Sequence, residues 1–401
     1  MTTGSSTPTV DLLRLRDWTR EQRATMTEDL RDYVGLESPS DDKPALRATL
    51  QWLEGWLADR LGPPLRVRRF DGGEYGDTIV HDYPGASGEA ADPVVMLCHY
   101  DTVWPIGTLT DRPFRVDGDR ITGPGVFDMK AGLVQAVWAL RALDAAGADR
   151  PPLRLVLNGD EEIGSLASRP VIESETAGTR CALVFEASAD GAVKTARKGV
   201  GLFRVEAHGV EAHAGLDPAS GVSAVDELAR AVLTLHALSD PGAGTTVNVG
   251  TISGGTRSNV TAGHASADID VRVATRAEID RIDAELAALA PHDSRATLTV
   301  SGDWNRPVME RGAGTAGLYA LARDLAAPLG LELRECAVGG ASDGNFAAQL
   351  GVPVLDGLGA VGDGAHARHE YASVNGMLER TCLAAALLNA LAPPREPRLS
   401  P

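Results

Sequence analysis

Cysteine pairs, lysine, excess basic charge and long apolar runs are scarce or missing in this 401-residue chain. The four cysteines (Cys98, Cys181, Cys336, Cys382) lie far apart and none forms a CxxC pair. Three sit in or beside apolar segments, so buried thiols in a reducing cytosol are expected. Lysine is rare against arginine, and acids outnumber bases to give a formal net charge of −17. That balance argues against nucleic acid or an anionic membrane surface as a partner, although a local Arg or a metal could still receive an anionic substrate. No apolar stretch is long enough to span a bilayer. The opening Met1-Thr-Thr-Gly-Ser-Ser-Thr-Pro8 lacks the basic and apolar regions of a signal peptide, so a cytoplasmic location is expected. The Pro-rich C-terminal end reads as a frayed tail. There is no internal repeat and no low-complexity block.

What is present is an α/β pattern long enough for two domains. Pro93-Val-Val-Met-Leu-Cys98 reads as a strand buried on both faces, as do Leu153 to Leu157 and Cys181 to Phe185. Helical patterns run from about Thr19 to Leu36, Pro44 to Leu61 and Lys130 to Ala146, the last ended by Gly147. Strands alternating with helices predict a mostly parallel sheet with helices on both faces. From Gly199 the texture changes. Strands are expected at Gly201–His208, Thr246–Ser253, His264–Ala274 and Ala296–Val300, the first and third alternating apolar with polar residues, with helices at Val222–Leu238 and Arg276–Leu289. That order is βαββαβ, a ferredoxin-like unit. The α/β texture returns after Pro307, so the expected division is 1–198 and 309–401 for one domain, interrupted by 199–308.

Five segments carry the chemistry: His99-Tyr-Asp101, Gly123-Pro-Gly-Val-Phe-Asp128, Asp160-Glu161-Glu162, Phe185-Glu186 and His366-Ala-Arg-His369-Glu370. Each lies at the end of an apolar run or in the loop after it, and strand ends of an α/β sheet converge on one edge. His99 and Asp101 face the same way in a strand, so the acid can hold the second ring nitrogen of a ligating imidazole; a buried structural pair would look the same. Asp128 precedes a helix and, taken alone, reads better as an N-cap than as a ligand. Three adjacent acids at a buried edge repel unless a cation or protons neutralise them, but a solvated loop would carry them too. Glu186 alone reads as the first exposed residue after a strand, and His366 and His369 compete within one Gly-rich loop. Taken together, the His, Asp and Glu residues make a mixed N/O donor set suited to Zn²⁺. A shared carboxylate would suit the two-metal arrangement used in hydrolysis.

At HYDTV (His99–Val103), GPGVFDMKAG (Gly123–Gly132), DEEIGS (Asp160–Ser165) and GGASDG (Gly339–Gly344) the chain resembles a known family. It is that of the di-zinc hydrolases including glutamate carboxypeptidase, aminoacylase, acetylornithine deacetylase and succinyl-diaminopimelate desuccinylase. The likeness runs from about Leu30 to Leu391. It implies an aminopeptidase-like catalytic domain interrupted by a ferredoxin-like lid, and two Zn²⁺ per subunit, with Co²⁺ or Mn²⁺ as substitutes. It further implies that Asp128 bridges both metals, that His99 and Glu186 complete one, and that Glu162 and His366 complete the other. His366 rather than His369 is implied because the family His lies four residues before a Glu, here Glu370. Glu161 would be the general base and Asp101 would orient His99. In the lid, His213 would reach the substrate carbonyl, and Asn259 and Arg272 would bind its carboxylate; beyond the lid, the backbone at Gly340 would close on the substrate.

The implied reaction is hydrolysis of the amide bond to a C-terminal amino acid, in the manner of a glutamate carboxypeptidase. The alternatives are an N-acyl-amino-acid deacylase and a catalytically silent binding homologue. The implied partner is a small peptide or N-acyl amino acid. A homodimer through the lid is expected, with the helix at Val222–Leu238 at the contact.

Overall fold

A computed structural model describes residues 10–86 and 91–393. The Met1–Pro8 opening and the tail beyond Pro393 lie outside them. The described chain divides into two compact units: residues up to Thr195 with Arg311–Ala337 and those from Ser342, and Ala196–Glu310 with Val338–Ala341.

In the first unit a six-stranded sheet runs in the order Arg66–Phe70, Thr78–Tyr83, Leu153–Asn158, Val94–His99, Cys181–Val184, Val354–Leu355. The last four are parallel and the first two pair antiparallel. Val94–His99 and Cys181–Val184 are buried at every residue, which is why they read as unbroken apolar runs rather than alternating ones. The antiparallel pair was not expected. Its edge strand, Arg-Val-Arg-Arg-Phe, is largely exposed and carries the charges that discourage edge-to-edge association. Arg68 ties that edge down through Asp82 and Glu175.

Helix Ala131–Ala146 is buried along most of its length, packed against the Val94–His99 strand and helices Lys43–Leu61 and Val374–Ala390. Gly132 permits its closest approach, since a Cβ there would lie 2.0 Å from the carbonyl oxygen of Phe185. This contact draws the start of the helix to the end of the Cys181–Val184 strand.

A second, four-stranded sheet sets the remaining loops. Gly362–Asp363 and Tyr371–Ser373 form a hairpin whose second arm pairs with Arg120–Thr122, with Ala372 opposite Ile121. The hairpin tip is the 364–370 segment and Arg120–Thr122 leads into Gly123–Asp128. Two segments that are more than 200 residues apart in sequence thus start side by side.

The inserted unit has strands Gly199–His208, Thr246–Gly254, His264–Val273 and Thr297–Arg306, with helices Ala224–Ala237 and Arg276–Ala287. In space the order is Thr246–Gly254, His264–Val273, Gly199–His208, Thr297–Arg306, with every pairing antiparallel, which is the ferredoxin-like arrangement. One sheet face is apolar (Phe203, Val205, Ala207, Ala265, Ala267, Ile269, Val271) and packs with the two helices; the other carries polar side chains. Gly340, expected in the resumed first domain, belongs instead to this unit. Arg197 holds its carbonyl at 3.1 Å and that of Ala341 at 3.2 Å.

Candidate metal centre

Three parallel strands end together in the first unit, and each delivers part of one cluster. His99 is the last residue of Val94–His99, Asp160–Glu162 follow Leu153–Asn158, and Glu186 follows Cys181–Val184. Asp128 arrives from the Gly-Pro-Gly loop and His366 from the hairpin tip. Asp128 lies between the two imidazoles: Oδ1 is 3.4 Å from His99 Nε2, and Oδ2 is 3.3 Å from His366 Nε2. Glu186 Oε1 is 3.2 Å from His99 Nε2, and Glu162 Oε2 is 2.9 Å from His366 Nε2. Two groups of three donors therefore share one carboxylate: His99, Asp128, Glu186 and Asp128, Glu162, His366. His369 is outside both; its carbonyl accepts from Arg120.

The cluster demands positive charge. Burial opposes a charge on His99, but the carboxylates of Asp101, Asp128 and Glu186 outweigh it and hold the imidazole well above its ordinary value. Asp128 and Glu162 push His366 up to about 11. Burial opposes ionisation of Asp128 as well, yet His366 and His99 hold it below the usual carboxylate range. Burial, with Asp128 nearby, pushes Glu162 up to about 7. His99 Nε2 and Glu162 Oε1 are buried without a hydrogen-bond partner, although His99 Nε2 lies 3.2–3.4 Å from carboxylate oxygens of Glu186 and Asp128. Buried donor atoms converging without hydrogen bonds suit divalent cations, and the imidazole and carboxylate types suit Zn²⁺. The residues present therefore fit the metal pair that the sequence implied.

Asp101 holds three parts of the site at once. Its Oδ1 is 3.3 Å from His99 Nδ1 and accepts the Glu161 N–H at 3.2 Å; Oδ2 accepts the Glu162 N–H at 3.1 Å and the Ser40 hydroxyl at 2.7 Å. His99 Nδ1 also lies 3.0 Å from the Asp101 carbonyl oxygen. With acceptors on that side the imidazole carries its proton on Nδ1 and turns Nε2 to the cluster. Of the three consecutive acids, Asp160 points inward: its Oδ2 accepts the N–H groups of Ala167 and Ser168. Glu161 and Glu162 begin a single 3₁₀ turn that ends at Gly164 in the left-handed region (φ +102°). Only Glu162 of the three joins the donor cluster.

Glu370 was not singled out from the sequence as a site residue. It is fully buried, and its two oxygens accept the N–H groups of Gly125, Phe127 and Asp128 and the indole N–H of Trp104. Burial raises its pKa against the pull of those amides. In the sequence it served only as the acid four residues after His366.

In the inserted unit, Ala212–Ala214 pairs with Asn259–Thr261 through Ala214 N–H to Asn259 O and Thr261 N–H to Ala212 O, so His213 and Asn259 stand together. His213 Nδ1 accepts the N–H groups of Gly215 and Leu216, both at 3.1 Å, which puts the ring proton on Nε2. Arg272 uses Nε and Nη2 on Asp270, both at 2.8 Å, so the fork expected to be open for a substrate is partly engaged.

A model of peptidase family M20/M25/M40 matches residues 95–390. Carboxypeptidase G2 of Pseudomonas sp. (strain RS-16) is 30% identical over 378 residues, covering 92% of this chain and 89% of that protein. Among solved structures, aminopeptidase PepT of Bacillus cereus superposes with a TM-score of 0.75 at 19% identity, over 92% of this chain and 99% of that one. The YXEP protein of Bacillus subtilis, a dinuclear metal-binding peptidase of the M20 family, superposes at 0.66 with 15% identity, over 93% and 99%. These structures share the fold, and the family model and the Pseudomonas relative extend the likeness across nearly the whole chain. The chain thus belongs to peptidase family M20/M25/M40 and is a metal-dependent peptide hydrolase, a glutamate-carboxypeptidase-like exopeptidase.

Proposed function

We propose that this chain is a dinuclear zinc carboxypeptidase that releases a C-terminal amino acid, glutamate among its substrates, from a peptide or bulky N-acyl group. One observation carries the reading: the two oxygens of Asp128 face different imidazoles at 3.4 and 3.3 Å. His99 and Glu186 would complete one metal site, and Glu162 and His366 the other. Co²⁺ and Mn²⁺ suit the oxygen-rich set as well. When bound, the metal pair would polarise the scissile carbonyl and lower the pKa of water. Glu161, carried on the turn that Asp101 anchors, acts as general base: it takes the proton of the attacking water and passes it to the leaving nitrogen. Asp101 keeps His99 in one tautomer. His213, protonated on Nε2, donates to the substrate carbonyl oxygen. Asn259 and the remaining nitrogen of Arg272 receive the substrate carboxylate, and the Gly340 backbone, pinned by Arg197, closes beside it.

A homodimer through the inserted domain is part of the proposal. Strand Thr246–Gly254 stands at the sheet edge with Ile252 62% exposed, and helix Ala224–Ala237 exposes Leu233 at 73%. A cytosolic setting suits the four free cysteines, three of them buried. No described helix is long and apolar enough to cross a membrane.

The test is hydrolysis by the zinc-loaded protein across N-acetyl amino acids and N-benzoyl or peptidyl glutamates, with a chelated control. Chelator-sensitive release of glutamate from the bulky set is expected. Turnover confined to small acyl groups would replace the carboxypeptidase reading with a deacylase.

A further inference from the structure

The polar face of the inserted sheet carries a second group of metal-donor side chains that the hydrolytic chemistry does not use. His208 is the last residue of its strand and His264 the first of the neighbouring one, and the register sets them directly opposite each other. Their ring centroids are 5.1 Å apart. Glu206, two residues before His208, faces the same way. His264 Nε2 is 3.9 Å from Glu206 Oε1, and one donor atom from each of the three residues lies within 4.8 Å of the others. We propose that Glu206, His208 and His264 bind a late first-row divalent ion, Zn²⁺ for example, at a site separate from the hydrolytic pair.

Two imidazoles and a carboxylate are the donor types such ions favour. Donors held about 2.0–2.1 Å from a tetrahedral ion stand roughly 3.4 Å apart. The hydrolytic donors already have that spacing, at 2.9–3.4 Å. Here the side chains must draw in by about 1 Å, from the same geometry. Rotation allows this, because the side chains of His264 and Glu206 are 52% and 39% exposed and no core packing holds them. The cost of that ordering makes the site weaker than the hydrolytic one and leaves coordination positions to water. Arg204 competes for the same oxygen of Glu206, at 3.3 Å from its Nε. Its other nitrogens are anchored on Asp268 at 2.6 Å and on Ser266 at 2.7 Å, so Glu206 gives up one long contact to turn to an ion.

The position gives the site a consequence. The loop that leaves His208 carries His213, the loop that enters His264 carries Asn259, and Gly209 N–H bonds Gly263 O at their common root. An ion joining His208 to His264 staples the roots of both loops.

The experiment is equilibrium dialysis of the full-length protein against Zn²⁺, comparing the unaltered chain with the double variant His208→Ala, His264→Ala. The unaltered chain should bind one more, weaker equivalent than the double variant. The variant should keep its fold and its tight zinc, since exposed substitutions of this kind change stability little. Glu206→Gln should weaken the extra equivalent while leaving the tight zinc in place. Equal zinc uptake by the unaltered chain and the double variant would overturn the site.

Discussion

Glu370 accepts the backbone N–H of Asp128, at 3.3 Å, and with it two further amides of the loop that brings Asp128 to the cluster. Since Glu370 lies four residues after His366, one buried carboxylate sets the spacing between the loops bearing Asp128 and His366. Glu370→Gln should keep the fold but lower metal retention by about 10–100-fold, the usual scale for groups supporting a ligand. Zinc content after graded chelator dialysis measures this, and unchanged retention would show that the loop holds itself.

Glu161→Ala should remove the proposed proton carrier and leave the candidate donors in place. Turnover is expected to fall by at least ~10²–10⁴, the usual contribution of a positioned general base, while zinc content stays as in the unaltered protein. Substantial residual rate in a fully loaded variant would contradict the assignment.

Arg272 spends two nitrogens on Asp270, so its pull on a substrate carboxylate depends on that partner. Arg272→Lys should raise KM for substrates with a free C-terminal carboxylate, because an ammonium cannot reproduce the fork. The expected change for the corresponding C-terminal amides is small. An equal effect on both substrate sets would place Arg272 away from the carboxylate.

Gly132→Ala puts a Cβ 2.0 Å from the Phe185 carbonyl oxygen, which is backbone and cannot swing aside. The helix must shift, at a cost of about 1–3 kcal/mol, typical of overpacking. Because this shift moves Asp128 away from Glu186, urea midpoint and zinc affinity should fall together. A loss of stability with zinc affinity intact would uncouple the helix from the cluster.

His81 lies buried in the Thr78–Tyr83 strand with Nε2 unpartnered, and burial holds its pKa below the ordinary value. The folded protein therefore keeps this ring neutral where the unfolded chain protonates it, at about pH 6.5. Its penalty is absent above that pH and grows as the pH falls below it. His81→Phe should flatten the decline of the urea midpoint between about pH 6.5 and 5. An unaltered slope would exonerate His81.

The sequence by itself determined the parts that depend on local pattern. Unbroken apolar runs located buried strands of the parallel sheet, alternation located half-exposed strands of the inserted domain, and acids and histidines at strand ends marked candidate donors. The tertiary structure decided what depends on contacts between distant segments. Residue type alone does not separate His366 from His369 in their shared loop; the family resemblance favours His366 by its spacing to Glu370, and the hairpin paired beside Arg120–Thr122 is what presents it to Asp128 and Glu162. No pattern shows that Asp160 turns inward while Glu162 turns to the cluster, since the distinction lies in amides seven and eight residues downstream. In the sequence Glu370 serves only as a spacing mark for His366; that four N–H groups from two other segments surround it is a tertiary fact. The antiparallel edge is not legible in the sequence for a related reason: a charged strand such as Arg66–Phe70 forms through its partner's hydrogen bonds, not through an apolar face of its own.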